Sequence, residues 1–348
     1  MKGIKYTSAY VVPFLCLIGI LQGGYLVWGA VIFAFVIVPI LEPFLQQDAK
    51  DYSAEEKSTR LSNGFFDVLL YLNIPVIYTL LFMLLSQAQI GLYTTAELIG
   101  LVASMGVTLG ACGINVAHEL GHRDTKWEQF LAKLLLLPSQ YMHFFIEHNR
   151  GHHKFIATEE DAASAKFNEP LYLFWIRSIF GQYKNAWKLE NKRLGRAGML
   201  EIGFQNEMLI FTFLQIGFVI LIAFVFSPLI AGIYMGIALI SILLLETINY
   251  VEHYGLRRKK NANGRYETVQ VWHSWNSNHK FGRIILYELT RHSDHHFQSN
   301  KKYQILEHKD KAPQLPYGYP SSMLLALVPP IWFKVMNKRV EKIRTTVS

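Results

Sequence analysis

The sequence predicts an all-α integral membrane protein, with six transmembrane helices in three hairpins and a histidine-rich cytoplasmic cap. Three observations carry that expectation. The 348 residues are 51% hydrophobic and only 17% charged. The 34 lysines and arginines avoid three long windows, residues 6–49, 61–122 and 197–256. The 13 histidines all lie at or after His118, most of them in four short clusters.

A helix rises ~1.5 Å per residue and a bilayer's hydrocarbon core is ~30 Å thick, so one span needs roughly 20 apolar residues. Each window accommodates two. The first predicts spans at residues 8–22 and 25–45, joined at Gly23-Gly24; the second at 65–86 and 96–118, joined by a polar turn near Gly91. The third predicts 207–226 and 229–250, meeting at Ser227-Pro228. With every Lys and Arg outside the hairpins, the positive-inside rule puts both termini and all long loops in the cytoplasm. The chain then reads as one membrane-embedded domain, 1–348, whose cytoplasmic cap is 119–206 and 251–348.

The basic start before an apolar run has the look of a secretory leader, but no small-x-small site follows and the segment pairs with the next span. Cys16 and Cys112 fall inside spans, which argues for packing and against a disulfide framework. The apolar stretch "SSMLLALVPPIWF" (321–333) is short and Pro-rich, so an interfacial helix is expected there. The net charge of +8 fits topology and attraction to anionic lipid headgroups. Its sharper reading is a docking face for an acidic soluble protein. No nucleic-acid module is present in the sequence.

The clusters are "HELGH" (His118, His122), "EHNRGHH" (His148, His152, His153), "NYVEHYG" (His253) and "RHSDHH" (His292, His295, His296). His118 and His122 stand four apart at the end of the fourth span, one turn apart on a continuing helix. In "HNRGHH" and "HSDHH" the outer histidine and one of the adjacent pair share a helical face, leaving the other free to reach a neighbouring metal. His253 lies just past the end of the sixth span, at the same inner level as His118. Neutral imidazole is the commonest metal ligand, and its other nitrogen usually donates to a carboxylate or carbonyl. Glu119, Glu147, Glu252 and Asp294 sit beside these histidines and are expected to orient them.

Nine clustered imidazoles are too many for one tetrahedral zinc, but suit a dinuclear site with open positions. Iron, copper and zinc all accept imidazole. His143, His273 and His279 are candidates for supporting roles, with "HSWNSNH" (273–279) the strongest segment, while the lone His308 reads as a surface or packed residue. Two other readings compete. "HELGH" matches the H-E-x-x-H zinc metalloprotease pattern, with Glu119 as general base, but that leaves most of the histidines idle. A metal or haem carrier would place polar residues mid-span along a path, whereas every histidine here lies at or beyond a helix end.

"HELGHR", "HFFIEHNRGHH", "NYVEHYGL", "HSWNSNH" and "RHSDHH", with "GYP" and "PPIWF" near the C-terminus, resemble in order the membrane-bound alkane 1-monooxygenases. These are relatives of the integral-membrane fatty acid desaturases and hydroxylases. The likeness runs from the second span to about residue 335. "NYVEHYGL" separates the alkane and xylene branch from ordinary desaturases. Arg123, where Lys is common, and Leu289-Thr290, where Leu-Gln is usual, depart from the pattern without removing a histidine.

The resemblance implies two iron ions held by His118, His122, His148, His152, His153, His253, His292, His295 and His296. It implies terminal hydroxylation of n-alkanes to 1-alkanols with O2 and two electrons from rubredoxin, a ferredoxin or a similar iron protein. That donor would dock on the basic cytoplasmic face of a bacterial inner-membrane enzyme. The sibling alternatives are a xylene methyl hydroxylase, a fatty acid hydroxylase or a desaturase. In the family a bulky residue five before a proline of the second span closes the substrate channel. The matching residue here is Ala34, five before Pro39, which implies tolerance of longer chains.

Overall fold

The computed structural model describes residues 3–346; it is all-helical, with no strand among the described residues. Six helices are long and apolar enough to cross a membrane: Ile4–Gln22, Gly24–Phe44, Phe65–Gln89, Thr95–Gly121, Glu207–Val225 and Pro228–His253. The protein is an integral membrane protein. No end departs from the sequence-based expectation by more than four residues. The fourth and sixth spans run about a turn further than expected, and those extra turns enter the histidine cap.

Local chemistry sets the turns. Gly23 and Gly24 both take positive φ, 65° and 57°, which glycine adopts without steric cost. Thr94 and Glu97 form a reciprocal capping box at the start of the fourth span, and Glu97 also accepts the Gly24 N–H at 2.6 Å. That one carboxylate ties the two turns together. Ser227 caps the sixth span, with Pro228 at its first position.

The fourth span is the centre of the bundle, packing against the first, second and sixth. Across its most apolar stretch 72% of residues are buried, against 17% in the fifth span. Small residues allow the close approach: a Cβ at Gly100 would lie 2.5 Å from Val27, and one at Gly106 2.5 Å from Ile240. Helical regularity is interrupted by π turns at Phe33–Ile37, Leu109–Ile114 and His148–His152. Such turns widen the helix locally and change which residues share a face.

Around the C-terminal ends of the fourth and sixth spans lie shorter helices. Leu171–Arg196 buries Leu171, Phe174, Ser178, Gln182, Ala186, Glu190 and Leu194, a spacing of three to four, and turns Lys184, Lys188, Lys192 and Arg196 outward. The stretch 321–333 is not one interfacial helix. It divides between Tyr319–Ala326 and Pro329–Thr346, because Pro329-Pro330 cannot continue the first of these but suits the start of the second. Trp332, Met336 and Val340, four apart, are buried in a core cluster with Tyr250 and Tyr254 at the end of the sixth span.

The segment carrying "RHSDHH" is pinned from several sides. Arg291 donates to Lys50 O at 2.8 Å and pairs with Asp51 at 3.1 Å. Nearby, Arg283 pairs with Glu288 at 2.7 Å, and Glu288 accepts from Tyr6 OH at 2.6 Å. "HSWNSNH" braces the helix start: Asn276 Oδ1 accepts from Ser293 N and Ser274 O from Ser293 OH, both at 2.8 Å. The charge-assisted bonds among these, made by Arg291 and Arg283, contribute about 1.5–3 kcal/mol each, and the neutral ones about 0.5–1.5 kcal/mol each. They hold a short six-residue helix, His292–Phe297, that could not stand alone.

Candidate metal centre

All nine clustered histidines converge at the C-terminal ends of the fourth and sixth spans, in two adjacent groups. His118, His122, His148, His153 and His295 form one; His152, His253, His292 and His296 form the other. Within each group the candidate ligand atoms lie within 4.8 Å of one another. The groups touch, with the rings of His153 and His296 4.4 Å apart and those of His148 and His152 5.1 Å apart.

Helix type decides which histidine goes where. In His292–Phe297, an α-helix, His292 and His296 are four apart and fall in one group, while His295 goes to the other. In "HNRGHH" the π turn makes His148 and His153, five apart, the pair that shares a group. His152, four from His148, is sent across. His118 and His122, four apart at the end of the fourth span, stay together.

Ring nitrogens face ring nitrogens throughout. In the first group His118 Nε2 is 2.9 Å from His295 Nε2, His148 Nε2 3.0 Å from His153 Nε2, and His153 Nε2 3.2 Å from His295 Nε2. In the second, His292 Nε2 stands 3.2 Å from His253 Nε2 and 2.8 Å from His296 Nε2. His122 Nε2 and His152 Nε2 are buried without a hydrogen-bond partner. Burial and the neighbouring rings hold His122, His148, His153, His292, His295 and His296 well below the usual imidazole pKa. Clustered neutral nitrogens with lone pairs turned on one another are poor hydrogen-bonding partners but fit metal ions between them.

Four acids were expected to orient these rings, and the structure places each of them. Glu252 Oε2 lies 3.2 Å from His292 Nε2, and Tyr319 OH donates to its other oxygen at 2.9 Å. Glu119 pairs with Arg123 at 2.8 Å and accepts from Tyr303 N at 3.1 Å. Arg123 also reaches Asp67 at 3.3 Å, so this departure from the family pattern serves an ion cluster. Glu147 accepts from Asn185 at 2.9 Å; burial and then the Asp161 charge push its carboxyl up to about 8. Asp294 holds Lys301 at 2.7 Å, Lys309 at 3.1 Å and Glu307 N at 2.8 Å.

The acid that the sequence did not single out is Asp161. Its Oδ2 is 2.9 Å from His152 Nδ1, and it is fixed by Ser164 OH at 2.6 Å and Ala163 N at 3.0 Å. A carboxylate can only accept here, so Nδ1 carries the proton and Nε2 is left free towards its group. Burial works against the charge on His152, yet Asp161 raises its pKa above the ordinary value. The remaining histidines stand outside both groups. His143 is buried beside Tyr141, and burial drives it down to about 3. His273 bonds Glu267 and Gln270 N, His279 bonds Ser277, and His308 pairs with Asp310.

An apolar cavity of about 780 Å³, including its mouth, runs from the spans to the histidines. Ala34, Phe35, Val107, Ala111, Leu244 and Ile248 line its shaft, and His118, His148, His292 and Glu252 its inner end. Ala34 sits on the π turn of the second span.

A fatty acid desaturase family model matches residues 95–322, which include all nine of these histidines. Alkane 1-monooxygenase 1 of Pseudomonas aeruginosa is 38% identical over 90% of this chain and 82% of its own length. Alkane 1-monooxygenase 2 of Alcanivorax borkumensis is 36% identical over 95% and 87%. A more distant relative, the xylene/toluene monooxygenase hydroxylase component of Pseudomonas putida, is 28% identical over 97% and 89%. The chain belongs to the fatty acid desaturase family, within its alkane 1-monooxygenase group.

Proposed function

We propose that this chain is a non-haem di-iron monooxygenase that converts the terminal methyl group of n-alkanes to 1-alkanols with O2 and two electrons. The observation that carries the reading is the meeting of two histidine groups with one end of an apolar cavity. The similarity to alkane 1-monooxygenases, at 36–38% identity against 28% for the xylene enzyme, favours an alkane over an aromatic methyl group.

In this reading the nine histidines are the ligands, one ion to each group. Two irons so held would supply O2 activation and the oxidising power that an unactivated C–H bond demands. The chain's own residues do the rest. The cavity wall binds an uncharged alkyl chain by shape and excludes water, so no charged anchor is needed. His118, His148 and His292 belong both to the groups and to the cavity lining, which brings the terminal carbon beside the metal positions. Asp161 fixes the proton on His152 Nδ1. Ala34 leaves the shaft open where a bulkier residue would shorten it.

The membrane arrangement belongs to the same proposal. The spans form three hairpins of a single domain, 1–348, and the cap with its site faces the cytoplasm of a bacterial inner membrane, as the distribution of Lys and Arg supports. The outward stripe Lys184, Lys188, Lys192 and Arg196 offers a basic face to rubredoxin or a ferredoxin, and to anionic lipid. The test is product analysis of the purified chain with reduced rubredoxin, isotope-labelled O2 and a series of n-alkanes. Labelled 1-alkanols are expected; absence of O2 consumption with every alkane would overturn the reading.

A further inference from the structure

We propose that the groove between the second span, the sixth span and the Tyr319–Ala326 helix is the alkane's entrance from the bilayer, and that Met323 is the side chain that opens and closes it. The proposal rests on the reading of the inner cavity as the alkane site and adds the route into it.

The first argument is a shared wall. A second apolar hollow, about 550 Å³ including the space at its rim, has Trp175, Ile240, Leu243, Thr247, Leu324 and Leu327 on its outer side. Phe35, Leu244 and Met323 line both this groove and the cavity that ends at the histidines. One comes from the second span, one from the sixth and one from the Tyr319–Ala326 helix. These three side chains stand between the two hollows.

The second is depth. Ile240 is at the middle of the sixth span, and Thr247 lies six residues before its end, about 9 Å along the helix. The groove therefore opens onto hydrocarbon. Leu324 and Leu327 are exposed at its rim, and so are Leu173 and Ile176 on the neighbouring helix, whose Tyr172 OH donates to Leu327 O at 2.7 Å. An n-alkane is already dissolved at this depth. Each methylene favours hydrocarbon over water about fourfold, so a ten-carbon chain does so about a millionfold. A route through the polar cap would forfeit that preference.

The third is which part of the wall can move. Leu244 is backed by the fourth span, where a Cβ at Gly110 would lie 3.4 Å from its Cδ1. Phe35 is held in the π turn of the second span, against which the Tyr319–Ala326 helix packs. Met323 is unbranched, turns about three side-chain bonds, and rides on a helix of eight residues that is not a span. Its rotation opens the wall without displacing a transmembrane helix.

The test is photolabelling of the full-length protein in lipid vesicles by an n-alkane bearing a terminal diazirine, with labelled residues located by peptide mass spectrometry. Wild type should be labelled both in the groove, at Leu324 or Leu327, and in the inner cavity, at Val107 or Ile248. Met323→Trp should keep the groove label and lose about tenfold or more of the inner label, whereas Met323→Ala should fill the inner cavity at least as fast as wild type. Leu324→Trp, which touches the groove alone, should lower kcat/KM about tenfold for short and long alkanes alike while kcat at saturation stays. Thr79→Trp, in the separate groove between the first and third spans, should change neither readout. Inner labelling in wild type without groove labelling would overturn the proposal. So would wild-type inner labelling in both Met323→Trp and Leu324→Trp, and if Met323→Trp does not fold, Leu324→Trp decides alone. Absence of inner labelling in wild type would remove the reading of the cavity instead.

Discussion

The two histidine groups differ in what stands behind them. The group of five has no carboxylate on any of its rings among the described residues, whereas the group of four has Asp161 on His152 and Glu252 at His292. Their burial differs as well. His122 and His153 of the larger group are only half-buried, while all members of the smaller one are buried. One position is therefore neutral and nearer the surface, the other partly anionic and deeper. A carboxylate behind or beside a ligand raises its basicity and fixes its orientation, so the smaller group should hold its cation through fewer rings but firmer ones.

The largest effect should come from His292→Ala, which removes the nitrogen on which His253, His296 and Glu252 converge. Metal analysis should find one ion lost, and alkane turnover should fall by more than about 100-fold, beyond what loss of an outer partner costs. Loss of both ions together would break the comparison, because it would mean that the groups do not load independently. Asp161→Asn should come next. It should weaken metal binding by the four-histidine group about 10- to 100-fold and leave the five-histidine group unchanged, as read by two-step titration.

Ala34→Trp acts on the cavity shared by both groups. It should cut the turnover of long alkanes relative to short ones about tenfold or more, since each excluded methylene is worth roughly 1–3 kcal/mol. An unchanged product profile would show that Ala34 does not bound the substrate. The smallest effect on metal should be that of Asp294→Asn. Asp294 grips lysines and a backbone N–H, so the substitution should cost about 2 kcal/mol of stability in thermal unfolding while both ions remain.

Much of this architecture is legible in the sequence, for physical reasons. Charge is excluded from hydrocarbon, so the gaps between Arg60 and Arg123 or Arg196 and Arg257 bracket the spans, within four residues at three of their four outer ends and ten at the start of the fifth span. Metal-binding histidines recur at helical spacing, so the nine could be picked out. Their partition could not. It depends on a π turn at His148–His152, which no local composition announces. Asp161 escaped because it lies nine residues beyond His152, inside "TEEDAAS", and meets the ring only once the chain folds back. Adjacency misled in the other direction. Glu119, Glu147 and Asp294 neighbour histidines in sequence, yet they engage Arg123, Asn185 and Lys301, because the residue next to a ligand on a helix points to a different face. Ala34 was matched to its place by resemblance, and the cavity lining now gives it a physical setting.

The central claim is that two adjacent irons at the end of an apolar cavity hydroxylate an alkane. The most direct measurement is the metal content of the purified full-length protein, counted per chain and paired with Mössbauer spectroscopy on a sample shown to form 1-alkanol. Two irons per chain in two distinguishable environments are predicted, the one assigned to the four-histidine group vanishing in His292→Ala. A single zinc per chain, with no O2 uptake, would contradict the account.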